Sequence, residues 1–297
     1  MKPRQTVAIL LTLFAIMASI PFLVPGCGFV ALFSLVPLLA AERVASLKGL
    51  KGFWWMQYLA FLVFNFITTF WIRNATFGGA VFAVVANAAQ MSLVFEIFRF
   101  SKRYFKGTLP YIFLMCLWIA FEAHYYDVQI SWPWLTLGNS FARSIRLVQW
   151  YEYTGVMGGT LWVWLCNLAI FGGMVALSDG SFALKWNNKA RAAYFIGLVS
   201  VIFGPMIVSG VIWNRFQESS DPVKLIIGQP NFDPYQKCES LNQGQQNDIF
   251  MELVKPSLDA DSLQNSLVIA PETFVGGIVL NRFDENASVV AFRDFLR

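Results

Sequence analysis

Residues 192–213 read AAYFIGLVSVIFGPMIVSGVIW, a run of 22 residues that contains no charged side chain. Arg191 lies directly before this run, and Arg215 lies two residues after it. A helix needs about 20 consecutive apolar residues to cross the hydrocarbon core of a bilayer. The run therefore predicts a membrane-spanning helix. It also divides the chain, because the sequence before it is mostly apolar and the sequence after it is more polar.

The composition of the whole chain indicates an integral membrane protein. Hydrophobic residues make up 57% of the 297 residues and charged residues 13%, whereas soluble domains have about 25% charged residues. Apolar runs long enough to cross a bilayer recur along residues 1–214, which we predict to form a bundle of about seven transmembrane helices. The predicted spans are residues 6–25, 28–45, 53–72, 79–98, 109–126, 158–178 and 192–213.

Basic residues between the predicted spans indicate the orientation of the bundle. Twelve Lys and Arg residues fall at one set of span ends and four at the opposite set, and the cytoplasmic ends carry the excess in membrane proteins. The N-terminus is therefore predicted to be cytoplasmic, and seven spans would place residues 215–297 outside the cytoplasmic membrane. The twelve are Lys2, Arg4, Arg43, Lys48, Lys51, Arg99, Lys102, Arg103, Lys106, Lys185, Lys189 and Arg191, and the four are Arg73, Arg143, Arg146 and Arg215.

The net charge of +4 conceals two regions of opposite charge. Residues 1–214 contain 15 Lys and Arg against 6 Asp and Glu, and residues 215–297 contain 7 against 12. The positive-inside rule predicts a basic membrane region followed by an acidic tail when the tail is exported. Nucleic-acid binding is not expected, since the basic residues lie between apolar runs and form no single basic face.

Residues 215–297 alternate between strand and helix patterns. Residues 223–227 (VKLII) and 267–270 (LVIA) predict short strands, while residues 247–258 and 286–296 carry apolar residues at helical spacing. Pro256 should bend or shorten the first of these helices. The alternation predicts an α/β domain. Because two strands cannot bury both faces of a sheet, we expect this domain to be unfinished in the chain or completed by another element.

Glu272 follows the second predicted strand and is the candidate catalytic residue of the tail. Polar residues at the carboxyl ends of strands commonly line the active crevice of open α/β sheets. A carboxylate at this position would serve as a general base for a thiol or an amine. The residue alone fits a surface glutamate in a turn better than a base, so only its sequence context favours the catalytic interpretation.

Two further candidates lie at the predicted outer end of the bundle. Glu122 falls inside the fifth predicted span, where an ionisable residue is costly and often functional, although a place near the outer end would allow contact with water. Trp134 lies in an aromatic segment of the outer loop, which predicts either an interfacial aromatic belt or a wall that receives lipid chains. His124 fits an interfacial or packed histidine better than a base.

The four cysteines are scattered along the chain and predict neither a metal site nor a disulfide framework. The sequence contains no Cys-x-x-Cys pair and no Cys/His cluster, and no cofactor is expected. Three of the cysteines lie in or beside apolar runs, where a thiol packs as a small hydrophobic group. The positions are Cys27, Cys116, Cys166 and Cys238.

Several motifs occur in a specific order along the chain. The predicted spans are interrupted by Trp132-Pro-Trp-Leu135 and followed by Ile227-Gly-Gln-Pro-Asn231 and then Ala270-Pro-Glu-Thr273. This order resembles the bacterial apolipoprotein N-acyltransferase family over essentially the whole chain. The resemblance implies a bundle in the bacterial cytoplasmic (inner) membrane that carries an external domain of the nitrilase (carbon–nitrogen hydrolase) superfamily, an α-β-β-α sandwich. Residues 215–297 would be the start of that domain.

The resemblance also implies an acyl transfer that uses a Glu, a Lys and a Cys, in that order along the chain. The Cys takes an acyl chain from a phospholipid as a thioester and passes it to the N-terminal diacylglyceryl-cysteine of an apolipoprotein. Glu272 matches the family's general base, Trp134 matches a tryptophan associated with the lipid site, and Glu122 matches a recurrent Glu. The implied partners are a phospholipid donor, a diacylated apolipoprotein acceptor and membrane lipids.

The Lys and the Cys of this triad have no match among the 25 residues that follow Glu272. Cys238 precedes Glu272, which is the wrong order for the nucleophile. We therefore expect a truncated domain and no activity from these 297 residues alone. A non-catalytic membrane fragment or a lipid-binding membrane protein is the alternative, and a transporter is disfavoured because the spans lack clustered charges.

Overall fold

The computed structural model describes residues 2–128, 132–179, 186–217, 223–233, 237, 239–258 and 266–296. The chain forms two compact units, unit 1 (Met1–Phe216) and unit 2 (Gln217–Arg297). The described part of unit 1 is helical, and that of unit 2 combines helices with a small sheet. Cys238 lies outside the described residues.

The described part of unit 1 consists mainly of helices and short 3-10 turns. The helices are α1 (Pro3–Leu23), α2 (Ala31–Ser34), α3 (Val36–Leu47), α4 (Phe53–Thr69), α5 (Phe77–Ser101), α6 (Leu109–Asp127), α7 (Tyr151–Ser178) and α8 (Asn188–Arg215). Short 3-10 turns precede α2, extend α4 and occupy the loop between α6 and α7; they are Gly28–Val30, Phe70–Asn74, Pro133–Leu135, Leu137–Phe141 and Ile145–Leu147. The helices lie within a few residues of the predicted spans, except that α7 begins seven residues before the predicted start at 158.

Six helical segments in the described part of the chain are long and apolar enough to cross a membrane. They are Pro3–Leu23, Gly28–Leu47, Phe53–Asn74, Phe77–Ser101, Tyr151–Ser178 and Asn188–Arg215. The membrane location predicted from composition is therefore confirmed. Helix α6 matches the fifth predicted span in its bounds but is not among the six, because Glu122, His124 and Asp127 make its final turns polar. Whether α6 crosses the bilayer stays a prediction.

Aromatic side chains connect the helices inside unit 1. Phe14 of α1 packs edge-on against Phe61 of α4, with 5.4 Å between the ring centroids, and Phe61 lies 6.1 Å from the ring of Trp118 in α6. All three side chains are almost completely buried. Because lipid tails are as apolar as these side chains, helices in a membrane are held together by close packing and by polar contacts between them.

A buried asparagine bridges the break between α2 and α3. Asn167 of α7 accepts a hydrogen bond from Leu35 N–H at 2.7 Å and donates one to the Ala31 carbonyl at 2.8 Å. An uninterrupted helix would join these two groups directly, since each N–H donates to the carbonyl four residues earlier. The side-chain amide thus takes the place of a helix hydrogen bond, in a setting where water is absent.

Helix α8 is attached to α7 through the carbonyl that its proline leaves free. Pro205 has no N–H to donate to the Val201 carbonyl. The indole Nε1 of Trp162 in α7 donates to that carbonyl at 2.7 Å instead. A second contact is made by Ser209, whose hydroxyl accepts from Gln149 N–H at 2.6 Å. These polar contacts fix a helix whose surface is otherwise mostly exposed.

The described part of unit 2 contains two parallel strands, β1 (Lys224–Ile227) and β2 (Ser266–Ile269), with Ile226 opposite Val268. Helix α9 (Gln243–Val254) lies between them in sequence, and α10 (Ala287–Phe295) follows β2. Parallel strands need a crossover connection, which is usually helical. The structure therefore has the predicted order of strand, helix, strand and helix. Two strands do not by themselves identify a nitrilase-like fold.

Helix α9 begins at a capping box and ends before a proline. The Asn242 side chain accepts from Gln245 N–H at 3.0 Å, and the Gln245 side chain accepts from Asn242 N–H at 3.1 Å. This cap places the start of the helix four residues before the predicted start at 247. Pro256 lies in the 3-10 turn after Val254, so the proline shortens the helix as predicted.

A small apolar cluster joins the sheet to the helices of unit 2. The Phe250 ring of α9 lies 4.8 Å from the ring of Phe274, and both residues are buried together with Ile226 and Val254. Gly228 makes this packing possible, because a Cβ at that position would overlap the Phe250 ring. The described residues cover one face of the sheet, and the exposed apolar side chains on its other positions are Leu225, Ile227, Leu267 and Ile269.

Candidate functional site

Glu122 lies in the last third of α6, and its side chain is buried, since the residue is 4% exposed. One carboxylate oxygen, Oε1, accepts hydrogen bonds from Trp118 Nε1 at 2.8 Å and from Leu137 N–H at 2.9 Å. The other oxygen, Oε2, accepts a hydrogen bond from the Thr160 hydroxyl at 2.5 Å. Three donors from three segments of the chain therefore satisfy this carboxyl group away from water.

The hydrogen bonds of Glu122 hold the loop between α6 and α7 against the bundle. Trp118 belongs to α6 and Thr160 to α7, while Leu137 lies in the loop just after Trp134. The Thr160 hydroxyl also accepts from Gly138 N–H at 3.1 Å, so it connects the loop with the carboxylate. The sequence suggested that water would reach Glu122 near the outer end. Instead the loop covers it, and the partners of Glu122 carried no local signal in the sequence.

Glycine at position 138 allows the loop to approach α7 this closely. A Cβ on Gly138 would overlap the backbone carbonyl of Val156. The Gly138 carbonyl accepts a hydrogen bond from the Tyr151 hydroxyl at 2.9 Å. A Cβ on Gly159 would overlap the same Tyr151 side chain. The contact between loop and helix therefore depends on two residues without side chains.

A very small cavity lies beside Glu122. Its volume is about 10 Å³, and it is lined by Asn87, Tyr125, Trp132 and Thr136 among others. The buried Nε1 of Trp132 has no hydrogen-bond partner among the described residues. A space of this size holds at most about one water. Among the described residues, Glu122 therefore supports the fold around the loop, and the cavity beside it is too small for a lipid chain. Its role in substrate binding stays a prediction.

Trp134 lies on the turn Pro133–Leu135 and is 58% exposed. Its ring packs edge-on against Trp71, with 5.6 Å between the ring centroids, and lies 6.4 Å from the ring of Trp132. Trp71 is also exposed and belongs to the turn that extends α4. Both interpretations of Trp134 stay open, because an interfacial belt and a lipid-contacting wall each require exposed rings.

An open apolar groove of about 390 Å³ lies between α4 and α5. Its lining includes Phe70 and Arg73, which belong to the same turn as Trp71. The Arg73 guanidinium carbon lies 5.8 Å from the centre of the Phe70 ring. Further along the helices the groove is lined by Leu62, Phe66, Val81 and Val85. The groove therefore offers an apolar surface to a hydrocarbon chain, and Arg73 places a positive charge at one end of that surface.

Glu272 lies in unit 2, in the turn that follows β2. Its side chain is exposed, and its carboxylate has no hydrogen-bond partner among the described residues. The next residue, Thr273, has a left-handed backbone with φ +57°. Lys237 Nζ donates to the Thr273 carbonyl at 3.0 Å, and Phe274 is buried in the apolar cluster of unit 2. The two residues directly after Glu272 are therefore held in place, one by a hydrogen bond and the other by packing.

The parallel pairing of the strands positions a second predicted motif at the same edge as Glu272. Gly228, the first residue after β1, donates its N–H to the Ile269 carbonyl at 3.0 Å. The motif at 228–231 and the turn at 270–273 therefore leave the sheet side by side. Asn231 has φ +52°, so each of the two turns contains a residue in the left-handed region.

Two comparisons with known proteins bear on these residues. The sequence model of a family described as apolipoprotein N-acyltransferase N-terminal domain matches residues 14–169, which include Glu122 and Trp134. The chain is also 25% identical over 252 residues to the apolipoprotein N-acyltransferase of Chlorobaculum tepidum, in a match that covers 82% of this chain and 44% of that protein. The chain thus spans less than half the length of that relative. The resemblance seen in the sequence motifs is confirmed.

Proposed function

The chain belongs to the apolipoprotein N-acyltransferase family, and we propose that it forms the membrane bundle and the first part of the catalytic domain of such an enzyme. Residues 1–214 are the bundle, and residues 215–297 are the start of a nitrilase-like domain. The reaction transfers an acyl chain from a phospholipid to the N-terminal diacylglyceryl-cysteine of a lipoprotein. The bundle lies in the bacterial cytoplasmic (inner) membrane, with a cytoplasmic N-terminus and the second unit outside.

In the proposed reaction Glu272 is the general base. It takes the proton of a cysteine thiol, and the thiolate attacks the ester carbonyl of the phospholipid to form a tetrahedral oxyanion. The oxyanion collapses to a thioester as the lysophospholipid leaves with the proton from Glu272. Glu272 then takes a proton from the attacking amino group of the acceptor. The amide forms, and the thiol recovers its proton.

The position of Glu272 supports this role. Its carboxylate is exposed, it has no hydrogen-bond partner among the described residues, and it follows the carboxyl end of a parallel strand. A base needs such freedom to accept a proton from a reactant. Residues 273–297 contain neither Lys nor Cys. In the order that the family resemblance implies, the lysine that stabilises the oxyanion and the nucleophilic cysteine both follow the base, so neither role is assigned to a residue of this sequence.

The groove between α4 and α5 supports a lipid substrate. Its apolar lining suits an acyl chain, and Arg73 at one end suits the phosphate of a headgroup. Trp134 packs on Trp71, a neighbour of Arg73 in sequence, so Trp134 is proposed to contact the same lipid. Glu122 then contributes indirectly, because it fixes the loop segment that follows Trp134.

The observation that carries the proposal is the family match over residues 14–169. To test it, residues 1–297 are joined to the remaining C-terminal portion of the Chlorobaculum tepidum relative. The purified fusion is incubated with a phospholipid that carries a labelled acyl chain. We expect a hydroxylamine-labile label on the fusion and no label on residues 1–297 alone. In Glu272→Gln the labelling rate of the fusion should fall by a factor of about 100 or more, since general-base catalysis contributes about 10²–10⁴-fold.

The matched control is Glu285→Gln, which removes an exposed carboxylate elsewhere in unit 2 and should label like the unaltered fusion. Equal rates for Glu272→Gln and Glu285→Gln would show that Glu272 is not the base. A labile label on Cys238 of the 297-residue chain would contradict the assignment of the nucleophile. A fusion that takes no label, under conditions where the relative does, would favour a non-catalytic lipid-binding membrane protein.

A further inference from the structure

A second groove lies where α6 begins, at the opposite end of that helix from Glu122. It has a volume of about 350 Å³ and is bounded by α3, α6 and α7. Ile112 of α6 and Leu168, Phe171 and Val175 of α7 give it an apolar wall. Arg43 of α3 and Thr108 also line the groove. The groove therefore combines a long apolar surface with a cation.

Next to this groove lies a network in which the charges are balanced. Glu42 is completely buried and forms an ion pair with Lys102. Arg99 Nε lies 4.0 Å from Glu42, and Arg99 also binds Glu96 through two hydrogen bonds of 2.6 and 2.9 Å. The network thus contains two carboxylates and two cations. A fully buried carboxylate requires such compensation, because an unpaired buried charge is very costly.

Arg43 lies next to Glu42 in sequence but takes no part in this network of ion pairs. It is half-buried, and it forms no ion pair with any described residue. Lys102, at the edge of the groove, is bound to Glu42 and lies 3.4 Å from the Tyr111 hydroxyl. Arg99 and Lys102 are therefore occupied, whereas Arg43 lines the groove and no carboxylate of the described residues pairs with it.

We propose that this groove binds one anionic phospholipid, with an acyl chain along the wall formed by α6 and α7 and the phosphate at Arg43. Basic pockets between transmembrane helices on the cytoplasmic side commonly bind anionic headgroups. This end of the bundle carries part of the excess of basic residues, namely Lys48, Lys51, Arg103 and Lys106. That excess predicts that this end faces the cytoplasm. The site is separate from the groove between α4 and α5 and does not depend on the proposed reaction.

The charge at the mouth favours an anionic lipid over a zwitterionic one. A zwitterionic headgroup brings its own cation and gains less from an arginine that has no partner. Helix α6 begins at Leu109, and the side chain of its capping residue, Thr108, makes no capping hydrogen bond. Its hydroxyl is thus available to a headgroup, and the positive end of the helix dipole acts in the same direction as Arg43.

The experiment measures lipid retention by the full 297-residue chain. The protein is purified in detergent, titrated with dioleoylphosphatidylglycerol or dioleoylphosphatidylcholine, and examined by native mass spectrometry. The unaltered chain should retain one phosphatidylglycerol more tightly than phosphatidylcholine. Arg43→Gln should weaken that first phosphatidylglycerol about fivefold, which corresponds to the value of about 1 kcal/mol for one basic residue at an anionic headgroup.

Lys51→Gln is the matched control, because it removes the same charge from an exposed position at the same end of the bundle. It should leave retention of phosphatidylglycerol unchanged. If Arg43→Gln and Lys51→Gln weaken retention equally, the attraction is a general surface effect and the proposed site does not exist. Equal retention of the two lipids by the unaltered chain would overturn the proposal as well.

A second variant tests the apolar wall without altering any charge. Gly172 lies in the groove, and a Cβ added there would meet no atom within 4 Å. Gly172→Leu should therefore fill the groove while the helices stay in place, and retention of the first phosphatidylglycerol should fall as it does in Arg43→Gln. Unchanged retention in Gly172→Leu, in a protein with unaltered thermal stability, would show that no acyl chain lies in the groove.

Discussion

Thr160→Val should destabilise unit 1 by about 2–4 kcal/mol. The hydroxyl of Thr160 donates to Glu122 Oε2 at 2.5 Å and accepts from Gly138 N–H at 3.1 Å. Loss of the first hydrogen bond costs about 1 kcal/mol, and the buried N–H left without an acceptor costs about 1–3 kcal/mol more. Valine has nearly the same shape, so the loss of packing is small. The free energy of unfolding is measured by titration with sodium dodecyl sulfate in mixed micelles.

Two variants distinguish this effect from a general response to the substitution. Thr68→Val removes a buried hydroxyl that bonds only to carbonyls of its own helix, at 2.7 Å from Phe64 O, and should change stability by no more than about 0.5 kcal/mol. Thr160→Ser keeps the hydroxyl and should restore most of the lost stability. If Thr160→Val and Thr68→Val unfold with the same free energy, the hydrogen bonds around Glu122 do not hold the loop.

Two more substitutions each test a contact with one backbone carbonyl, that of Val201 and that of Val156. Trp162→Phe removes the donor to the Val201 carbonyl and should lower the unfolding free energy by about 1–2 kcal/mol. Adding Pro205→Ala should recover part of that loss, since the alanine N–H supplies the missing helix bond, and no recovery would contradict this account. Gly138→Ala places a Cβ against Val156 O, and the resulting clash of about 1–3 kcal/mol would push the loop between α6 and α7 away from α7. Amide hydrogen exchange in this loop should therefore become about 5- to 150-fold faster.

The lengths of the apolar runs predicted where the helices lie. They did not predict where a helix extends beyond its apolar run or where its regular geometry is broken. Helix α7 begins at Tyr151, seven residues before the predicted span, because residues 151–157 are helical but too polar to register as membrane-spanning. Gly155, with φ +63°, interrupts the helix in that first part. Hydropathy detects the part of a helix that crosses the bilayer and not the turns that project beyond it.

The charged residues inside the bundle show a second limit of sequence reasoning. Glu42 shortened the second apolar run, yet the residue is completely buried because Lys102, 60 positions later, pairs with it. Glu122 was expected near water, and it is buried because Thr160, 38 positions later, donates to it. Local patterns cannot supply partners at such separations, and the cost of a buried carboxylate depends entirely on those partners.

The position of Glu272 was easier to predict than the environment of Glu122. A short β-branched run followed by a turn is a local pattern, and the parallel pairing of β1 and β2 follows from the helix between them. The sequence therefore placed Glu272 correctly after a strand. Its role as a base stays a prediction, since a base acts through partners that residues 273–297 do not supply.

The bridge made by Asn167 has a consequence for the order in which the bundle assembles. During synthesis the segment that contains Ala31 and Leu35 enters the membrane long before Asn167 of α7, which lies 132 residues after Leu35. Until α7 arrives, one carbonyl and one N–H at the break have no asparagine to join them, and lipid offers no substitute. The early helices are therefore a provisional assembly. The insertion of α7 supplies the missing partner for both groups at once.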